Sequence, residues 1–355
     1  MNDHAISRLN PGRGRLGIDG LHRTATLAGA AAGLVLTAAI LLGSRNLGNF
    51  DVALLGYALG TIFLAYGVTY KTVVWAGSPA ARRYLARGWK AIVRPGPEFP
   101  KSEVPRTIVS TLLLQRFIAQ RSSARWLAHQ GLFWGVISAT MITFPLTFGW
   151  IHFRAVAGTP SDYWIYLMGM RTVKIDALGI AGFMAFHGLN LSAVLVVAGG
   201  AWFLRHRWTE RGNNLTQFGR DLLPLIALMA ISVTGLALTV SSALMGGLWY
   251  RPLAFIHMCT VVLTLVWVPF GKFFHTVQRP AMIGVHLHKQ STLASGGAHR
   301  CPSCGAEVEG AVFLEDLQKT MDELGLDFAG WIETCPSCKR IARGAQYREQ
   351  VKAGF

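Results

Sequence analysis

Hydrophobic and polar positions along this chain fall into long blocks, with neither a strand's alternation nor one amphipathic stripe. Apolar runs cover 24–43, 52–75, 126–149, 175–204, 222–245 and 252–280. About 20 apolar residues in a helix cross a bilayer's hydrocarbon core, so the pattern predicts six transmembrane helices. Between them, 77–125 is polar and broken by Pro95, Pro97, Pro100 and Pro105, with a helical period over 107–119 that suits a surface segment. The loop 150–174 carries Trp150, Tyr163, Trp164 and Tyr166, residues that favour a membrane interface. Beyond residue 280 the long apolar runs stop, and 312–326 shows the 3.6-residue period of an amphipathic helix. The predicted fold is therefore an all-α integral membrane bundle of six transmembrane helices with a small C-terminal metal-knuckle domain, zinc-ribbon-like in layout. Its expected divisions are a basic arm (1–24), a transmembrane domain (25–280) and a cysteine-bearing tail (281–355).

Composition agrees with the pattern. Of 355 residues, 52% are hydrophobic and 15% charged, and the mean hydropathy is +0.36; a soluble domain carries about 25% charged residues. The formal charge of +16 raises the thought of nucleic acid, but its distribution along the chain says otherwise. Under six spans, the loops on one side hold eighteen Lys and Arg and those on the other hold five. That bias places both termini in the cytoplasm, with the chain multi-pass in the cytoplasmic membrane, and assigns the cations to lipid and to docked protein. Lys71 is expected to reach the interface from the end of the second span. A cleaved leader competes for the first run, but the long polar arm and the lack of a small-residue cleavage site favour a retained helix.

Candidate chemistry lies first in the histidines. His257 and His275 are eighteen residues apart, five turns of one continuous helix, so both imidazoles would leave the same face about 27 Å apart. Either histidine alone reads as a packed interfacial residue; the in-phase pair around Pro269, Phe270, Gly271 and Lys272 suits the ligation of two stacked haems. On these residues the segment resembles the last ligand helix of the membrane cytochrome b (gamma) subunit of respiratory nitrate reductase. The run from Trp126, with His129 at its start, resembles that family's other ligand helix. The family's second histidine, ten residues on, is here Ala139.

The resemblance implies haem b, two groups or one, with His129 and His275 sharing the inner haem. For an outer haem, His257 would pair with His187 or with His152. The glycines Gly182 and Gly188 beside His187 would let a macrocycle approach. The resemblance also implies a quinol donor with Lys174 near its headgroup. The partners it implies are an iron–sulfur subunit and a catalytic molybdenum oxidoreductase on the cytoplasmic side. The resulting reading is electron transfer between the quinone pool and that partner. A transporter using intramembrane histidines, or a membrane-tethered assembly or regulatory protein working through its knuckle, are the rival classes.

The cysteines carry a second signal. Cys301, Cys304, Cys335 and Cys338 form two C-x2-C pairs thirty residues apart, while Cys259 lies alone in the last apolar run. Two such knuckles supply four thiolates to one metal. Zinc fits the helical period between the knuckles; a rubredoxin-like iron is the alternative.

Overall fold

The computed structural model describes residues 11–93, 102–209, 218–328 and 330–353. Helices α1 (Pro11–Gly43), α2 (Leu55–Gly77), α6 (Ser123–Thr147), α7 (Ile180–Thr209), α8 (Leu223–Leu244) and α9 (Tyr250–Trp267) follow the six predicted runs. Five helical stretches among the described residues are long and apolar enough to cross a membrane: Asp19–Gly43, Val52–Gly77, Ile180–Thr209, Leu223–Leu244 and Tyr250–Trp267. This is the build of a multi-pass membrane protein. Helix α6 has the length but is less apolar, since it opens with Arg125, His129 and Gln130. The basic arm expected to end at residue 24 is in large part helical, because α1 starts at Pro11; residues 1–10 lie outside the described residues.

The chain divides into two compact units. One comprises 23–72 and 115–275, the other 1–22, 73–114 and 276–355. In this division 73–114 groups with 276–355.

In the first unit the helices meet through small residues, as bilayer helices must where lipid is as apolar as leucine. A Cβ on Gly135 of α6 would touch Val196 and Ser192 of α7, and one on Gly60 of α2 would touch Leu265 of α9. Ser138 and Ser192 hydrogen-bond across α6 and α7 at 2.8 Å, and Thr239 donates to Asn190 across α8 and α7 at 2.8 Å. Phe148, Ile40 and Ala58 form a buried cluster with Trp150 and Phe144 around it. Large side chains elsewhere on these helices, among them Leu42 at 77% exposure and Leu263 at 70%, point outward, as lipid-facing positions do.

Two expectations are corrected here. The all-α class fails at 150–176, where an antiparallel sheet replaces the expected loop: β1 (Ile151–Ala155), β2 (Asp162–Leu167) and β3 (Met170–Asp176), in the order β1-β2-β3. Met168 and Gly169, both with positive φ, close the β2–β3 hairpin, the backbone a two-residue turn of matching twist requires. Phe153 and Tyr163 pack this sheet on Phe186 of α7.

The second correction concerns 252–280, which is not one helix. α9 stops at Trp267, a 3-10 turn covers Lys272–Phe274, and α10 (His275–Gly296) follows. Pro269 has no N–H to donate and its ring collides with the preceding turn; Gly271 then takes an extended ψ of −172°. Lys71 does not reach out to an interface. Its Nζ donates to the carbonyl oxygen of Pro269 at 2.7 Å and lies 4.8 Å over the Phe274 ring.

The second unit holds α3 (Pro79–Val93), α4 (Glu103–Ile108), a π turn at Val109–Leu113, most of α10, and the cysteine module. The surface helix expected over 107–119 is split among α4, the π turn and α5 (Arg116–Ala119), while α3 takes the longer amphipathic role. The module runs β4 (Ala298–Arg300), β5 (Glu307–Gly310), α11 (Ala311–Glu323) and α12 (Pro336–Ala353), with β4 and β5 antiparallel. Gly310 faces Thr292 of α10, with room for no Cβ.

Candidate functional site

The four tail cysteines converge. Their sulfurs all lie within 4.8 Å of one another, and Cys304 and Cys335 Sγ are 3.6 Å apart. Four thiolates about 2.3 Å from a tetrahedral metal sit about 3.8 Å from each other, so a small closure of the cluster completes the site. The first knuckle follows β4 as a tight turn. Gly305 N donates to Cys301 O at 2.8 Å, Cys301 N donates to Ala306 O at 2.8 Å, and Gly305 takes φ +71°. The second stands at the start of α12, where Pro336 occupies the first helical position, whose N–H would have no partner within the helix.

Backbone amides aim at sulfur. Cys335 N donates to Cys301 Sγ at 3.3 Å, and Cys338 N to Cys335 Sγ at 3.4 Å. These bonds favour thiolates: Cys301 is held down at about 6, chiefly by the Cys335 amide, and Cys335 is lowered, chiefly by the Cys338 amide. Cys338 is pushed up to about 12, first by the hydrogen bond with Cys304. A cation that displaced that proton would meet four sulfurs with two buried, Cys301 and Cys335. The donor set fits zinc or iron alike.

Behind the knuckles lies an ion cluster that sequence reading missed. Asp316 of α11, 3% exposed, pairs with Arg87 Nε of α3 at 3.2 Å and with His288 Nε2 of α10 at 3.4 Å. Arg83 of α3 donates to Asp316 O and to Thr320 Oγ1 and pairs with Glu323. Burial lowers the affinity of His288 for a proton, against the pull of Asp316. Burial, with Asp316 second, raises Tyr84 to about 12. The only hint in the sequence was the four-residue spacing of Arg83 and Arg87, which places both on one side of a helix.

The histidines are held separately. His275 Nδ1 donates to Lys272 O at 2.6 Å on an exposed ring at the start of α10. His257 meets Thr234 Oγ1 of α8 at 2.9 Å, and that hydroxyl donates to Ala230 O at 2.7 Å, so the histidine is the donor. In both rings Nδ1 is the nitrogen that donates. His129 of α6 packs edge-on against Phe203 of α7 at 6.5 Å. His187 is exposed on α7 beside Phe183, at 4.8 Å between ring centroids.

With the helix broken at Pro269, the five-turn argument linking His257 to His275 no longer applies. Nor are Gly182 and Gly188 open to a macrocycle: a Cβ on Gly182 would strike Ala177, and one on Gly188 would meet Ile142 at 3.0 Å. His152 lies on β1, stacked on Tyr166 at 4.9 Å and 11°, and desolvation, then Arg154, lowers its proton affinity. Lys174 is on β3, not at the head of α7, and pairs with Asp162 at 2.8 Å.

Compared with family models, with characterised proteins and with solved structures, the chain matches none.

Proposed function

We propose that this chain is a b-type cytochrome of the cytoplasmic membrane, passing electrons between the quinone pool and a cytoplasmic-side iron–sulfur or molybdenum oxidoreductase. The observation that carries the reading is the hydrogen bond made by His275. Its Nδ1–H is committed to a main-chain carbonyl, the outer-shell bond that orients a metal-ligating imidazole and makes its Nε2 the better donor. His129 is the second ligand in this reading, one from α6 and one from α10. Bound between two histidines, haem accepts and gives up single electrons with no open position for a substrate.

The residues around His275 serve that role by holding it still. Lys71 fixes the carbonyl freed at Pro269 and lies on Phe274, the residue before the histidine. Lys272 pairs with Asp221 at 2.7 Å on the other side. We propose one haem per chain, because Ala139 stands where the resembling family has its outer ligand and His257 is engaged with α8. The cysteine module then binds a structural zinc and presents a basic surface to the partner.

The test is a reduced-minus-oxidised visible spectrum of the purified protein with haem counted per chain. One b-type centre, lost in both His129→Ala and His275→Ala and kept in His187→Ala, is the expected result. A protein without haem, or one whose haem survives the loss of His275, overturns the reading.

A further inference from the structure

Helix α3 begins one residue after a membrane-crossing helix ends, and its outward face is not that of a soluble helix. α2 ends at Gly77 and α3 begins at Pro79. Ser78 makes the corner: its Oγ donates to Trp75 O at 2.7 Å and accepts from Ala81 N at 3.4 Å. Two residues of chain reach about 7 Å, so the start of α3 cannot leave the level at which α2 leaves the bilayer.

The two faces of α3 differ. Gly88 is buried backbone to backbone on Gly284 of α10, with a Cβ on Gly88 only 2.5 Å from the Gly284 carbonyl carbon. Arg83 and Arg87 on the flank grip α11. The remaining arc carries Arg82, Ala86, Trp89 and Val93, spaced four, three and four residues apart so that they stack along one line, with Lys90 beside them. Trp89 is 69% exposed and Val93 55%, and Ala86, Arg82 and Lys90 are exposed as well. An indole and a valine held in water between two cations are costly on a solvent-facing helix. At a bilayer surface the same arc is matched group by group: the indole suits the headgroup level and the cations suit anionic phosphates.

We propose that α3 lies on the membrane with this arc in an anionic headgroup layer. Trp89 and Val93 enter the boundary with the acyl chains, Arg82 and Lys90 bind lipid phosphates, and the opposite side carries α10 and α11. The lipid-bound helix is then the platform on which the four-cysteine module is mounted. This inference is independent of the haem reading and concerns a different part of the chain.

The experiment is hydrogen exchange of residues 79–93 in the full-length protein in nanodiscs. One set holds phosphatidylcholine alone and the other one-third phosphatidylglycerol. Exchange should slow by about thirtyfold in the anionic discs, the scale of two surface cations acting on lipid. That difference should vanish in Arg82→Glu/Lys90→Glu while exchange in α10 and α11 stays as in the parent chain. If the double reversal disturbs α10 and α11, Arg82→Gln/Lys90→Gln is read in its place and should likewise abolish the difference, since it removes both charges. Equal exchange of the parent chain in the two bilayers, or a lipid difference that persists undiminished in the variants, overturns the proposal and leaves the arc to a protein partner.

Discussion

At the scale of residues, burial decides what an ionisable group does here. Asp316 is enclosed, and Arg87 pairs with it from α3 while His288 bonds to it from α10. Asp316 is buried while Arg87 is half-exposed, so removing Arg87 leaves a buried acceptor short of a partner, at a cost of about 1–3 kcal/mol. His288 itself is 6% exposed, and desolvation outweighs the nearby carboxylate, with Arg87 acting in the same direction as burial. Its folded pKa thus lies below the unfolded value near 6.5. The sign follows: the unfolded chain binds the proton more readily, so the stability linked to neutral His288 is full above 6.5 and is lost as pH falls through the lowered value. We expect the packing of α10 on α11 to weaken below about pH 6.5, measured as faster exchange in α11. In His288→Gln that acid limb should flatten; a limb that persists unchanged would assign it to other groups.

At the scale of elements, most long helices were legible and the breaks between them were not. The runs at 52–75 and 222–245 became α2 and α8 within about three residues, because twenty apolar residues allow few alternatives. The period over 312–326 became α11 for the same reason: one side had to be buried. The break after α9 was missed although Pro269 was in view. Apolarity continues to Phe274, and the phase of His257 and His275 favours a straight helix only if the backbone obeys it. The sheet at 151–176 was missed because its aromatics fit an interfacial loop equally well, and two-residue turns with positive φ at Met168 leave no glycine-pair signature. α3 was hidden in a run of cations that looked like a solvated loop. The cysteine quartet, by contrast, was readable by spacing alone, and the Asp316 cluster was not, since it joins residues more than 200 positions apart.

The α3–α10 crossing yields a sharp prediction. Gly88→Val places a branched Cβ where only backbone fits. The helices must part, and we expect a loss of at least about 2 kcal/mol, in line with overpacking of a closed site. Thermal unfolding followed by exchange in α10 and α11 measures it, and an unchanged midpoint would show the crossing to be loose.

At the scale of the whole molecule, the two units are held together by different physics. The unit of 23–72 and 115–275 relies on small-residue helix contacts in lipid, where no metal is needed. The cysteine module has about 55 residues and a sparse interior in which Leu314, Ile332, Cys301 and Cys335 are the buried apolar groups. Such a module lacks the core to stand alone and requires a cross-link of some kind. The described cysteines form no disulfide, and their sulfurs lie close enough together to hold a metal ion, which would supply that cross-link. Its binding energy would then become folding energy for the module alone. We therefore expect one equivalent of metal in the purified chain by elemental analysis. A strong chelator, or Cys301→Ser with Cys335→Ser, should abolish exchange protection over 298–310 and 331–353. α11 should lose less, because Arg83 and Arg87 still grip it, and the apolar helices α1, α2, α7, α8 and α9 should be untouched. Zinc as the element found would make the site structural, with all four positions filled by sulfur; iron with a visible charge-transfer band would make it a redox centre. A chain that carries neither metal, or whose tail stays protected after stripping, would contradict the cross-link itself.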